Sequence, residues 1–294
     1  MSSASSALHE PVLRWYAEHA RDLPWRRPDA SPWGVLVSEI MLQQTPVSRV
    51  LPEYDAWLAR WPTPAALAAA PSGEAVRQWG RLGYPRRALR LHDTARAIVE
   101  RHGGEVPADH AALRALPGIG TYTAAAVAAF AFRQRHAVVD TNVRRVLARL
   151  VDGAEQPART ATMAELHLAE SLLPAEPDAP TWSVALMELG ALVCEARAPR
   201  CADCPVAHRC AWRLAGKPAY HGPPRRGQTY AGTDRQVRGL LLGVLRESAR
   251  PVPQATLDAV WPDEVQRARA LAGLLADGLA EPLADGRYRL PGAD

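Results

Sequence analysis

The sequence has no long apolar run, no leader-like start and almost no lysine. No stretch approaches the ~18 apolar residues of a membrane-spanning helix, and the first residues lack the basic head and apolar segment of a secretory signal. These absences argue against the membrane and secreted classes and predict an intracellular protein. Lys217 is the single lysine among 35 basic residues, an arginine bias that a GC-rich genome would also produce.

The positive charge is unevenly distributed. The formal net charge is +4, but the residues from Asp234 onward hold eight arginines against nine acidic residues. The tail therefore carries about −1 and the rest of the chain about +5. A polyanionic partner is expected to meet the part of the chain before residue 234.

Strand patterns are missing before residue 234, where the chain reads as a series of alanine-rich helices. Apolar residues recur at helical spacing, and proline or glycine bounds each segment. The predicted helices include Trp33 to Thr45, 53–60, 86–102, Thr121 to Phe132 and Asn142 to Val151. The sequence therefore predicts an all-α core.

All four cysteines fall within seventeen residues, at Cys194, Cys201, Cys204 and Cys210. Thiolates are soft ligands, so four of them in one short loop predict a single metal centre. Zinc sites commonly pair two C-x2-4-C knuckles across a longer gap, whereas here only Cys201 and Cys204 form a knuckle. The spacing favours a [4Fe–4S] cluster, with zinc or two disulfides as the alternatives.

A short turn, Leu116-Pro-Gly-Ile-Gly, joins two predicted helices as a helix-hairpin-helix pattern. Gly118 and Gly120 would let the turn approach a phosphate closely, and the following helix begins with free N–H groups and the positive end of its dipole. An ordinary helix–helix connection is the alternative, because the glycine pattern is short.

Two carboxylates are candidates for catalysis. Asp140 follows an apolar run and precedes a helix, so it is expected at a helix N-terminus, where it could also be a simple N-cap. Glu39 lies in a helix that is apolar on nearly every face, where a carboxylate is expected to be buried, to stay protonated and to suit general acid catalysis. The alternative, an exposed surface glutamate, lacks a polar stripe to join. Gln43, Gln44 and Thr45 end this helix with groups that can hydrogen-bond to base edges.

Five motifs in this order resemble the MutY-type adenine DNA glycosylases. They are Ser38-Glu-Ile-Met-Leu-Gln-Gln-Thr, Gly83-Tyr84, Leu116-Pro-Gly-Ile-Gly, Val139-Asp-Thr-Asn-Val-Arg-Arg-Val and the cysteine spacing. This family belongs to the helix-hairpin-helix base-excision superfamily, together with endonuclease III. The resemblance covers residues 8–220. It implies a mainly α, two-lobed glycosylase fold with a [4Fe–4S] loop and a cleft between the lobes.

The resemblance gives each matching residue a role. Glu39 would protonate N7 of an extruded adenine, and Asp140 would stabilise the oxocarbenium-like sugar, supported by Tyr122 and Asn142. Gln44 and Tyr84 would wedge into the duplex. Other DNA contacts would come from Gln43, Thr45, Gly118, Gly120, Arg197 and Arg200, and the base pocket from Leu23, Trp25, Arg26 and Val184.

Two positions bear on the reaction. Relatives that also cleave the strand carry a lysine where this chain has Tyr122, so the resemblance implies a monofunctional enzyme without strong lyase activity. Val184 stands where the family usually has Gln or Glu near the adenine. Because valine cannot hydrogen-bond there, adenine discrimination would rest on other groups or be relaxed.

The tail departs from the well-studied family members, which carry a Nudix-like domain that reads 8-oxoguanine. Here about sixty residues read as three helices, Arg235–Arg250, Gln254–Val260 and Asp263–Ala276, followed by a hairpin at Asp285-Gly286. This is a small winged-helix-like α+β domain. Its acidic balance argues against a strong phosphate-binding wing and favours packing on the catalytic lobes or a protein partner.

The predicted domains are a cluster lobe of residues 1–31 with 136–220, a six-helix lobe of 32–135, a linker of 221–233 and the tail domain of 234–294. The predicted protein is a monomeric, cytoplasmic, nucleoid-associated enzyme of base-excision repair. Its substrate would be duplex DNA with A·8-oxoG or A·G mispairs, and no membrane partner is expected.

Two alternatives stay open at the level of the sequence. One is a thymine or uracil mismatch glycosylase of the same superfamily, although protonation at N7 suits a purine. The other is a non-catalytic iron–sulfur protein that binds DNA lesions, which would be expected to lose Glu39 or Asp140. Both carboxylates are present.

Overall fold

The computed structural model describes residues 3–222 and 230–292, with the side chains of 3–6 left out of the description. These residues form fifteen α-helices and three short strands. The helices are α1 Ser3–His19, α2 Pro32–Leu42, α3 Val47–Arg60, α4 Pro64–Ala68, α5 Ser72–Gln78, α6 Arg86–His102, α7 His110–Arg114, α8 Thr121–Phe132, α9 Thr141–Leu150, α10 Met163–Ser171, α11 Ala179–Leu192, α12 Ala211–Leu214, α13 Asp234–Glu247, α14 Gln254–Asp258 and α15 Glu264–Ala276. The strands are β1 Val252–Pro253, β2 Glu281–Pro282 and β3 Arg287–Arg289. No helix among the described residues is long and apolar enough to cross a membrane.

The chain divides into two compact units. Unit 1 contains Met1–Val35, Ala108–Ala115 and Ile119–Pro224, and unit 2 contains Leu36–Pro107, Leu116–Gly118 and Arg225–Asp294. The two units are defined by internal packing, and the three domains and the linker expected from the sequence stay a prediction. Within the predicted linker, residues 223–229 lie outside the described part of the chain.

The core of unit 1 forms where α1, α9 and α11 pack on one another. Helix α9 turns one apolar face inward, including Val143 and Val146, which belong to the same buried cluster as Trp182 of α11. His9 fixes α1 to this core, because its Nε2 lies 2.8 Å from the carbonyl oxygen of Leu172 and its ring packs edge-on against Trp182. Full burial of such apolar side chains contributes about 1.5–3 kcal/mol each.

The core of unit 2 is built around two tryptophans. Trp57 of α3 and Trp79, just after α5, are fully buried, with ring centroids 5.6 Å apart. Helix α3 begins at Val47, so the predicted start at residue 53 was wrong. Pro52 lies inside the helix, where its missing N–H removes a single hydrogen bond rather than ending the helix.

The tail folds as the sequence predicts, with one addition. Helices α13, α14 and α15 precede an antiparallel sheet of order β1-β3-β2, in which Val252 pairs with Tyr288 and Glu281 pairs with Arg289. The hairpin of β2 and β3 corresponds to the predicted one around Gly286, which adopts φ 79°. Strand β1 was not predicted, because two residues carry no recognisable alternation.

The tail packs on α5 within unit 2. The N–H of Gly73 donates to the carbonyl oxygen of Pro291 at 2.7 Å, and a Cβ at Gly73 would lie 2.5 Å from that oxygen. Arg246 donates from Nε to the carbonyl oxygen of Val76 at 2.8 Å, and Arg77 donates to that of Ser248 at 3.0 Å. Of the two alternatives for the tail, the structure therefore supports packing on the helices that precede it.

Candidate active-site residues and cysteine loop

Glu39 is buried, as its apolar helix predicts. Its side chain lies in α2 with only 5% of the residue exposed, between Ser38 at 0% and Ile40 at 3%. Burial of a carboxylate in apolar surroundings disfavours its charged form. The surface alternative for Glu39 is therefore wrong.

Arg87 holds the end of α2 from inside unit 2. This arginine is 5% exposed, and its Nη1 donates to the carbonyl oxygens of Ile40 and Met41, both at 2.9 Å, and of Gln43 at 2.5 Å. These carbonyls form the negative end of the α2 dipole, which stabilises a cation placed there. Burial lowers the pKa of Arg87 to about 10. Sequence reasoning missed Arg87.

The same guanidinium reaches the segment that carries Tyr84. Its Nη2 donates to Thr45 Oγ1 at 2.9 Å and to the carbonyl oxygen of Gly83 at 3.0 Å. Arg87 is thereby bonded to Gln43 and Gly83, the residues directly before Gln44 and Tyr84. A single buried side chain thus ties together the two segments that carry the predicted wedge residues.

Gln44 and Tyr84 both adopt the left-handed backbone conformation, with φ of 54° and 47°. This conformation costs a non-glycine residue roughly 1–2 kcal/mol and persists only where neighbouring contacts impose it. Both residues are exposed, Tyr84 at 51%, and both line the same groove of unit 2. The structure therefore brings these two predicted wedge residues together, with Gln43 and Thr45 beside them.

The hairpin before α8 has the backbone that its glycines predict. Gly118 adopts φ 75°, and a Cβ there would lie 3.1 Å from Cβ of Arg90, so the turn passes close to α6. Gly120 is the N-cap of α8 in an ordinary extended conformation. Tyr122, in the first turn of α8, is half-buried against a cluster that includes Ala125 and Val138.

Asp140 caps the N-terminus of α9, so its predicted position at a helix N-terminus is confirmed. Its Oδ1 accepts from the N–H of Val143 at 2.7 Å, and its Oδ2 accepts from Asn142 Nδ2 at 2.9 Å. Burial raises the pKa of Asp140, although these two donors and the charge of Arg145 act in the opposite direction. A half-buried carboxylate that is oriented by donors to both oxygens is also suited to stabilising a developing positive charge.

A chain of hydrogen bonds leads from Asp140 to the cysteine loop inside unit 1. Arg145 Nη2 donates to Asn142 Oδ1 at 2.7 Å and to the carbonyl oxygen of Gly190 at 2.6 Å, while its Nε donates to that of Cys194 at 2.8 Å. Gly190 is required here, because a Cβ would lie 2.7 Å from Cβ of Asn142. Arg145 was not singled out from the sequence.

Arg149, one turn further along α9, organises the cysteine loop. It is 1% exposed, and it donates to the carbonyl oxygens of Glu195 at 2.7 Å and Ala196 at 3.1 Å and to Cys194 Sγ at 3.4 Å. Its guanidinium lies 4.8 Å from the ring centroid of Trp212. The sequence gives one indication that Arg149 is buried: it follows Val146 and Leu147 in the part of α9 where the neighbouring residues are apolar and buried.

The four cysteines line one small pocket of unit 1, together with Arg149 and Trp212. All four are free thiols, so the disulfide alternative finds no support. Burial raises the pKa of Cys194, and that of Cys204 to about 11. Over the described residues, no group of three or more His, Cys, Asp or Glu side chains is arranged to hold a single metal ion. The donor set, four thiols around one apolar pocket with arginine donors beside it, fits an iron–sulfur cluster.

The predicted base-pocket segment is anchored by an acid that sequence reasoning missed. Glu188 of α11 is fully buried and accepts from Arg21 Nε at 2.7 Å and Nη2 at 2.7 Å, and it pairs with Arg26 at 2.9 Å. Burial raises the pKa of Glu188, but the hydrogen bonds from Arg21 and the charge of Arg26 outweigh it, so that the pKa is lowered overall. Leu23 and Trp25, between the two arginines, are buried at 4% and 7%.

The remaining predicted site residues of unit 1 are exposed or half-buried. Val184, one turn before Glu188 in α11, is half-buried. Arg197 is exposed, and Arg200 is exposed with an ion pair to Asp203 at 3.6 Å. Both arginines are therefore accessible to a phosphate.

Comparison with known proteins identifies the family. A model of the HhH-GPD superfamily of base excision DNA repair proteins matches residues 37–171. The chain is 58% identical over 283 residues to the adenine DNA glycosylase of Mycolicibacterium smegmatis, covering 96% of this chain and 95% of the relative. It is 56% identical over 282 residues to that of Mycobacterium tuberculosis, covering 96% and 92%.

A solved structure supports the assignment of the fold. That of a thermostable thymine-DNA glycosylase superposes with a TM-score of 0.66 at 29% identity, covering 72% of this chain and 97% of the other. The helical fold with a helix-hairpin-helix and the match over almost the full length lead to one assignment. The chain belongs to the HhH-GPD superfamily of base excision DNA repair proteins and, within it, to the adenine DNA glycosylases.

Proposed function

We propose that this protein removes adenine mispaired with 8-oxoguanine or guanine by hydrolysing the N-glycosidic bond. The observation that carries this proposal is Asp140, a half-buried carboxylate with a donor on each oxygen, in a chain 58% identical to an adenine DNA glycosylase. Glu39, buried in α2, supplies the second acid that the reaction needs.

The two carboxylates would divide the chemistry. Protonation of N7 by Glu39 withdraws electrons from the glycosidic bond and makes adenine a better leaving group. The negative charge of Asp140 stabilises the oxocarbenium-like sugar that remains, and water then adds at C1′. Asn142 supports this role, because its Nδ2 hydrogen bond favours the charged form of Asp140.

The absence of an amine at the hairpin supports a monofunctional reaction. Strand cleavage through a Schiff base needs a nucleophilic amine, and Tyr122 occupies the hairpin position. The single lysine of the sequence, Lys217, has its Nζ 5.8 Å from the ring centroid of Trp212, at the cysteine loop. The expected product is therefore an abasic site in an intact strand.

The four cysteines would hold a [4Fe–4S] cluster. Its thiolate ligands would be Cys194, Cys201, Cys204 and Cys210, with Arg149 donating to the first of them. The cluster would fold the loop around itself and would not take part in base release. Iron and sulfide analysis tests this proposal, since one zinc per chain without sulfide would contradict it.

The alternative of a thymine or uracil glycosylase rests on Val184, which offers no hydrogen bond to a base. The discriminating experiment is a single-turnover assay on duplexes with A, T or U placed opposite G or 8-oxoguanine. Adenine release should dominate, Glu39→Gln and Asp140→Asn should abolish it, and the exposed control Glu100→Gln should not change it. Faster release of T or U than of A would reject the proposal that adenine is the substrate. Prompt strand scission would reject the proposal that the reaction is monofunctional.

A further inference from the structure

A wide groove in unit 2 runs between the wedge residues and the tail domain. Its volume is about 1390 Å³, and it is lined on one side by Gln44, Tyr84 and residues of α6, and on the other by α13. This volume exceeds the roughly 300–1,000 Å³ of a small-molecule site. The groove therefore suits a polymer better than a metabolite.

The lining of the groove is strongly basic. Nine arginines line it against two acidic residues, Glu247 and Asp277. Asp277 is shared by Arg86 at 3.2 Å and by Arg238, while Arg81 and Arg90 are exposed and have no ion pair or side-chain hydrogen bond to the described parts of the chain. The tail as a whole carries about −1. Its charged residues in the groove are three arginines and two acidic residues, so the part of the tail that lines the groove is positive although the whole tail is negative.

Helix α13 presents a flat face to the groove. Gly239 and Gly243 lie one turn apart on this face, and a Cβ at Gly243 would meet nothing within 4 Å. Around them, Tyr230 and Leu240 are exposed at 54% and 41%. Arginine and tyrosine side chains are among the groups that hydrogen-bond to phosphate oxygens in protein–DNA complexes.

We propose that this groove holds the sugar-phosphate backbone of the substrate duplex, with α13 of the tail domain as one wall. The proposal rests on the proposed function, because the groove is continuous with Gln44 and Tyr84, which would enter the duplex. It assigns phosphate contacts to α13 and not to the hairpin of β2 and β3, where a winged helix would place its wing. Three other acidic side chains of the tail pair with arginines outside the lining: Asp234 with Arg269 at 2.6 Å, Asp258 with Arg267 at 2.9 Å and Asp285 with Arg287 at 2.6 Å.

Gly243 allows a test that changes charge without disturbing packing. Gly243→Ala, Gly243→Lys and Gly243→Glu all add a side chain into open space on a helix, where replacing glycine is favourable. Affinity for an uncleavable A·8-oxoG duplex would be measured by fluorescence anisotropy between 50 and 200 mM KCl. The glutamate variant should bind about tenfold more weakly than the alanine variant at low salt, and the lysine variant as tightly or more tightly.

The salt dependence supplies a second measurement. Arg81→Ala and Arg90→Ala should each reduce the slope of log affinity against log salt concentration by about one. Arg101→Ala, an exposed arginine in the last turn of α6, is the matched control and should leave the slope unchanged. Equal affinities of the three Gly243 variants would overturn the groove proposal, whichever other partner the tail then binds.

The two proposals fail separately. Base release by the wild type at saturating enzyme reports the proposed function and does not depend on the affinity differences. If the wild type releases adenine but charge at Gly243 has no effect, only the groove proposal falls. If charge at Gly243 matters but no adenine is released, the groove stands as a duplex-binding surface and the catalytic assignment falls.

Discussion

Replacing Arg87 by methionine should destabilise unit 2 more than any surface change to the same helix. Methionine has a similar length and leaves little empty space, so that the loss is mainly one of hydrogen bonds. The guanidinium donates to the carbonyl oxygens of Ile40, Met41 and Gln43 on one side and to Thr45 and Gly83 on the other. In Arg87→Met all five acceptors would lose this donor. The carbonyl oxygens of Gln43 and Gly83 would keep one other donor each, Thr45 Oγ1 at 3.3 Å and Trp79 Nε1 at 2.9 Å.

The expected magnitude follows from those acceptors. A hydrogen bond to a charged group contributes about 1.5–3 kcal/mol, and a buried acceptor left without a partner costs about 1–3 kcal/mol. These values are not additive, and Arg87 itself bears a burial cost that lowers its pKa to about 10. A net loss of about 3–5 kcal/mol is therefore expected, which corresponds to a fall in Tm of roughly 6–20 °C for a unit of this size.

Thermal unfolding of the wild type, Arg87→Met and Arg87→Lys measures the effect. Lysine keeps the charge but cannot donate to both segments at once, so its Tm should fall between the other two. Arg86→Met is the control, because the neighbouring side chain is 57% exposed and its ion pair with Asp277 is worth little. If Arg87→Met unfolds within 2 °C of the wild type, Arg87 does not fix the two segments and the reasoning is wrong.

Three further predictions concern other parts of the molecule. Because burial raises the pKa of Asp140 and the reaction needs its ionised form, the rate of base release should fall as the pH drops through a value above 3.8. Asn142→Ala removes a hydrogen bond that lowers this pKa, so the fall should move to higher pH in a single-turnover pH profile. An unchanged profile would show that Asn142 does not support Asp140 in this role. Glu188→Gln should leave Arg21 and Arg26 without a counter-charge and cost about 3–5 kcal/mol in urea unfolding. The exposed control Glu10→Gln should cost less than about 1 kcal/mol, and equal effects of the two changes would contradict the anchoring of the pocket segment. Deletion of residues 230–294 should lower Tm, because α5 loses the contacts of Arg246 and Pro291. Adenine excision should stay measurable, since every predicted catalytic residue precedes residue 220. Complete loss of excision by a folded truncated protein would refute this prediction.

Apolar patterning accounts for what the sequence predicted correctly. The helices of both units, the buried position of Glu39 and the placement of Asp140 at a helix N-terminus all follow from short-range periodicity and capping. The tail helices and hairpin follow in the same way. These features depend on residues close together in the chain, which a single sequence displays.

The buried charges could not be predicted in this way. Arg87 and Glu188 find their partners 42 and 167 residues away, and short-range periodicity carries no information about contacts at that separation. The start of α3 was misplaced because a proline was interpreted as a boundary, although Pro52 lies within the helix. The arginine groove was missed because the net charge of a segment does not show on which surface of the fold its charged side chains lie.

Two buried arginines and one half-buried arginine indicate that the scarcity of lysine has a structural component. Arg87, Arg149 and Arg246 each donate to backbone carbonyl oxygens of segments remote in the chain, which a planar fork with five donors can do and a single ammonium cannot. A GC-rich genome explains arginine at every position equally, whereas this geometry explains it only where the guanidinium bridges segments. Lysine should therefore be tolerated at exposed Arg101 with no measurable change in Tm, and should lower Tm by several degrees at each of these three bridging positions. Equal tolerance at all four positions would leave genome composition as the sufficient explanation.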